Sequence, residues 1–171
     1  MKKVLTMILL LASVPAAAHS GHGDSFGAGL AHPFTGIDHV LAMLGIGLWS
    51  RRQDQPLAIP LVFVALMALG ALVQLPVALP DAVLAATVVA VGVVVAAGPM
   101  PQGAALLLVG VFALLHGQAH GRELPALASA AGYLISSALL LTAGRCLGRP
   151  RVAGAVIGAA GLCLLAVPGL A

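Results

Sequence analysis

Charge is what this sequence has least of. Asp, Glu, Lys and Arg make up 8% of its 171 residues, against roughly a quarter in ordinary soluble chains. With 61% hydrophobic residues and a mean hydropathy of +1.11, there is too little polar surface to cover a water-soluble particle of this size. A soluble enzyme and a disordered tail are therefore excluded. Eight basic residues and a net charge of +3 are too thin for a phosphate-binding surface, so no nucleic acid is expected as a partner. Two cysteines, Cys146 and Cys163, make neither a disulfide framework nor a four-cysteine zinc site. They fall at different depths and read as packing residues. A membrane protein remains, with the lipid bilayer as its first partner.

The N-terminus reads as a targeting segment. Lys2 and Lys3 precede a short apolar run, Val4 to Val14, and Ala16-Ala17-Ala18 offers the small residues of a signal-peptidase site. Residues 1–18 are thus expected to be a cleaved signal peptide, the alternative being an uncleaved first helix. Residues 19–31, rich in His, Gly and Ser, read as a flexible periplasmic leader in which His19 and His22 are candidates for metal capture.

Residues 32–171 form the transmembrane domain. Apolar stretches cover about 33–50, 57–75, 81–98, 102–121, 126–146 and 152–170, split by Pro, Gly and Arg. Each has roughly the 17–25 residues that a spanning helix needs. Lipid permits only helices or closed barrels, and these runs do not alternate as barrel strands do. The expected fold is all-α: a polytopic membrane bundle of six transmembrane helices. Arg51, Arg52, Arg145, Arg149 and Arg151 fall in loops on one side, and Arg122 beside Glu123 on the other. The positive-inside rule then gives an N-out, C-out, multi-pass protein of the bacterial inner (plasma) membrane. Trp49 is placed at the inner interface. Two small-residue pairs, Gly117 with Gly121 and Gly154 with Gly158, mark candidate helix contacts. The number of copies is left open, a homo-oligomer included.

Ionisable groups inside spans are costly and usually mark a site or pathway. Here they fall into two groups. The first stretch carries His32, Asp38 and His39; the fourth carries His116, His120 and Glu123. The first helix enters from outside and the fourth leaves toward it, so both groups lie at one depth. His116 and His120 are i, i+4 on one helical face, with Glu123 continuing it. His32, His39 and Met43 also recur on one face. Pro33 makes His32 a helix cap, and Asp38 is expected either to share an ion or to orient a histidine from another helix. Imidazoles with a few carboxylates suit Ni, Co, Zn or Cu rather than Mg or Ca.

The segment His32-Pro33-Phe34-Thr35-Gly36-Ile37-Asp38-His39, followed by Met43, resembles the first signature of the HupE/UreJ family of nickel/cobalt permeases. Phe112, and then His116-Gly117-Gln118-Ala119-His120-Gly121-Arg122-Glu123, resemble its second. Leu115 and Gln118 depart from the family's pattern. The resemblance spans the whole chain and implies His32, Asp38, His39, His116, His120 and Glu123 as the metal set. It also implies Ni²⁺ or Co²⁺ as the transported ion and a functional link to hydrogenase or urease maturation. No catalytic residue and no permanently bound cofactor are expected, and the chain is not read as an enzyme. Two other classes fit the same side chains. One is a membrane metalloenzyme or metal-delivery assembly factor, with Glu123 or Asp38 as base. The other is a haem-binding carrier ligated by His39 and His116.

Overall fold

The structure, a computed structural model, describes residues 25–74, 76 and 79–167. The expected signal peptide, His19 and His22 lie outside them. All regular structure among the described residues is helical. The elements are α1 (Phe26–Ala31), a 3₁₀ turn (His32–Phe34), α2 (Ile37–Ser50), α3 (Ala58–Leu72), α4 (Asp81–Ala97), α5 (Gln102–Glu123), α6 (Leu127–Arg145) and α7 (Pro150–Ala166).

Punctuation in the sequence sets these boundaries. Pro80 and Pro101 stand immediately before α4 and α5, and Pro150 opens α7, where its missing N–H costs nothing. α4 ends at Gly98, whose φ of 118° suits a residue without a β-carbon. α5 and α6, with 22 and 19 residues, are long and apolar enough to cross a membrane by length and composition. α2, α3, α4 and α7 are apolar but shorter.

The first stretch departs from expectation. Residues 26–31, read as flexible leader, are helical, with the Ser25 hydroxyl capping the Ala28 N–H at 3.1 Å. The glycines that suggested flexibility serve close contact instead. Gly29 meets the backbone of Ser129, Gly132 meets Phe26 and Leu30, and the Ser136 hydroxyl donates to the Leu30 carbonyl. α1 and α2 both lie along α6, and the chain between them is unwound at the 3₁₀ turn, Thr35 and Gly36. The first stretch is thus a broken helix, and His32 sits in the break.

Three further helix pairs pack through glycine. Gly47 meets Leu141 and Gly144 meets Leu44 between α2 and α6. Gly117 meets Met67 and Gly121 meets Ala71 between α3 and α5. Gly92 meets Gly154 and Gly158 between α4 and α7. Both small-residue pairs in the sequence are therefore real contacts. Apolar side chains gain little from leaving lipid, so close backbone approach with its dispersion energy holds such helices together. Leu61, Leu107, Leu139 and Val156 point outward, an exposed apolar surface that a soluble bundle would not carry. Inside are Trp49, Tyr133, Phe63, Met43, Ile46 and Met67.

Two interior assignments change. Trp49 is 1% exposed and donates its indole N–H to the Gly98 carbonyl at 2.7 Å, so it is a core residue rather than an interface anchor. Cys146 and Cys163 are free thiols, as expected, but are exposed rather than packed inside.

Candidate metal centre

The break before α2 and the last two turns of α5 converge. α2 and α5 share no extensive backbone packing, and their side chains fill the space between them. His39 is the hub: its ring centroid lies 5.8 Å from that of His32, 5.4 Å from His116 and 4.5 Å from His120. His32 and His120 are 5.0 Å apart. All four histidines are together, as their shared depth predicted.

Each ring is held by a local partner. Asp38 Oδ1 lies 2.8 Å from His39 Nδ1, both groups buried. Asp38 therefore orients its own neighbour, not a histidine from another helix. An N–H on Nδ1 donating to the carboxylate leaves Nε2 as the lone-pair nitrogen. His116 Nδ1 donates to the Phe112 carbonyl at 2.9 Å, which fixes the same tautomer. His120 is stacked on Tyr133, centroids 4.7 Å apart and planes 11° from parallel. His32 Nε2 meets Glu123 Oε2 at 2.8 Å.

The donor nitrogens are strikingly short of partners within the protein. Nε2 of His39 and His116, and both nitrogens of His120, are buried without a hydrogen bond among the described residues. A buried polar atom left so costs about 1–3 kcal/mol, an expense that calls for an explanation. One ligand nitrogen each from His32, His39 and His120 lies within 4.8 Å of the others. From there, small movements bring three nitrogens to the roughly 2.0–2.1 Å bonds of a late divalent metal. His116, the fourth ring, lies outside this group of three. The broken helix swings His32 inward, and His116 sits one turn deeper, beside His39. Burial grades along the cluster: Glu123 is half-exposed, His32 less so, and His116 and His120 are fully enclosed.

Tyr133 and Gln118 have definite places. Tyr133 backs His120, a contact made only by the packing of α6 against the site. Gln118 and Leu115 line an apolar cavity of about 360 Å³ with Leu69, Gly70 and Val111, away from the imidazoles. Met43 is enclosed in the core.

Gly36 caps α2 beside the Asp38–His39 pair. A β-carbon there would lie 2.8 Å from both Asp38 Oδ1 and His39 Nδ1. Gly36→Ala is expected to part that hydrogen bond and weaken Co²⁺ binding about tenfold, roughly the lower bound for losing a partner of a ligating histidine. Titration of the purified protein, followed by cobalt d–d absorbance, reads the change. Unaltered affinity would show that the pair does not tune the site.

An apolar helical bundle enclosing a cluster of histidines is a candidate metal site in a membrane-type architecture, and the comparisons narrow the class. Residues 7–170 match the family described as HupE / UreJ protein. Protein HupE of Rhizobium leguminosarum bv. viciae is 38% identical over 141 residues, covering 77% of this chain and 73% of that protein. No solved structure matches. The chain belongs to the HupE/UreJ family.

Proposed function

We propose that the protein is an integral membrane permease that takes up Ni²⁺, Co²⁺ or both through the His/Asp/Glu cluster between α2 and α5. The observation that carries this reading is the convergence of four imidazoles inside an apolar bundle, three of them with bare nitrogens. Imidazole donors favour late divalent metals over Mg²⁺ and Ca²⁺, whose sites are built from oxygen. An ion arriving from outside meets the half-exposed Glu123 and His32 first. It sheds water onto His39 and His120 and passes His116 on its way inward. Grading the ligands this way keeps dehydration stepwise, which lowers the barrier for a cation entering an apolar interior.

The wider topology belongs to the same proposal. Six spans follow a cleaved signal peptide, the histidine end faces the periplasm and the arginine end faces the cytoplasm. Contacts across the bundle support the grouping of loops: Arg51 donates to the Arg145 carbonyl, and the Gln55 N–H to the Gln102 side chain. Family membership suggests that the metal serves hydrogenase or urease maturation.

Radiolabelled nickel uptake tests the reading. Cells making the wild type should accumulate nickel above empty-vector cells, cobalt should compete, and His120→Ala at equal membrane level should fall to the vector baseline. Wild-type uptake at baseline, with nickel bound by the purified protein, would instead favour the metal-delivery factor.

A further inference from the structure

The end of the bundle opposite the histidines gathers five arginines, 51, 52, 145, 149 and 151, with Asp54 the carboxylate nearby in sequence. They divide into two groups. Arg51 and Arg145 are committed internally: Arg51 Nη1 donates to the carbonyls of Arg145 at 2.6 Å and Leu147 at 3.4 Å. Arg145 Nη1 donates to Ser50 Oγ at 2.9 Å and to the Pro56 carbonyl at 2.7 Å.

Arg52, Arg149 and Arg151 instead line one cavity of about 300 Å³, together with Pro150 and Val152. Arg52 is braced there by a 3.3 Å bond from Nη1 to the Val95 carbonyl. Arg149 and Arg151 are exposed, and neither makes an ion pair among the described residues. No carboxylate lines the cavity. Three like charges brought together from two separate loops repel one another unless an anion joins them. The cavity also lies at the start of α7, a 17-residue helix whose N-terminus has no side-chain cap, so its dipole adds positive potential. Beside the charges, Val152 and Val156 leave the flank of α7 apolar and exposed. A charged head above an apolar wall is the outline of an amphiphile.

We propose that this cavity binds a phosphate ester, the headgroup of an anionic phospholipid whose acyl chains lie along α7. Guanidinium groups suit phosphate oxygens through paired N–H donors, and basic pockets at a membrane surface hold such headgroups. The site requires that the bundle lie in a bilayer, but is independent of metal transport.

Native mass spectrometry of the purified protein with phosphatidylglycerol, phosphatidylcholine or inorganic phosphate tests it. The wild type should retain phosphatidylglycerol about tenfold better than phosphatidylcholine, equivalent to about 1.4 kcal/mol. The double variant Arg149→Asn, Arg151→Gln should lose that preference; Asn tolerates the left-handed backbone at 149, where φ is 54°. Arg51→Gln should keep it, since that guanidinium is bonded to carbonyls. Circular dichroism checks that each variant is folded. Equal preference in the double variant, or equal loss in Arg51→Gln, would overturn the site in favour of general surface charge. Phosphate binding without lipid preference would overturn the lipid assignment.

Discussion

His39→Ala is expected to weaken nickel binding by at least about 100-fold and to abolish uptake, whereas His116→Ala should spare most of the binding and still abolish uptake. Loss of a ligand's hydrogen-bonding partner alone typically costs about 10–100-fold, and His39→Ala removes the ligand together with its pair to Asp38. It belongs to the three-histidine set, its Nε2 has no hydrogen-bond partner among the described residues, and its ring neighbours the other three histidines. Removing it also leaves Asp38, 1% exposed, without its partner. An unpaired buried carboxylate is a penalty in its own right. His116 stands apart from the set that can close on one ion, one turn deeper along α5 and 5.4 Å from His39. Its removal interrupts the inward path rather than the first binding step. Equilibrium titration of purified variants, paired with uptake in cells, separates the two effects. If His116→Ala lost binding as severely as His39→Ala, the graded arrangement would be wrong and all four rings would form a single site.

The second large effect concerns the scaffold. Gly117→Leu places a β-carbon against the Met67 carbonyl and the Ala71 N–H, both main-chain groups of α3 that cannot turn aside. Gly103, on the same helix, has open space around it. Overpacking of this kind costs about 1–3 kcal/mol or more, while an unobstructed surface change stays within about 0.5 kcal/mol. Gly117→Leu should therefore lower the thermal transition of the detergent-solubilised protein markedly, and Gly103→Leu should not. Because Gly117 follows His116 directly, displacement of α5 should also disturb the metal centre. The two transitions are read by size-exclusion recovery after heating. Equal midpoints would mean that the α3–α5 contact does not hold the bundle together.

Composition and punctuation determined much of this protein. An apolar chain with prolines at regular breaks must be helical, and the boundaries of α3 to α6 fall within a few residues of those expected. The two groups of ionisable residues lie together because alternating helices bring the start of the first and the end of the fourth to one level. The small-residue pairs 117/121 and 154/158 also signalled contacts that exist, since spacing of four puts both glycines on one face.

Other features depended on what stands across the space. Glycine in the sequence carries no record of whether it loosens a chain or lets two backbones touch, so residues 26–31 read as leader when α6 makes them a packed helix. Helical periodicity assumes a continuous helix, and the break at Thr35 and Gly36 decides how His32 comes to face His39 and His120. Trp49 looks like an interface residue until the Gly98 carbonyl supplies a buried acceptor for its N–H. The stacking of Tyr133 on His120 links two helices whose sequences say nothing of each other. The sequence alone determined which residues are chemically out of place in an apolar chain. Only the tertiary structure decided which nitrogens face one another, because that depends on backbone breaks and on partners distant along the chain.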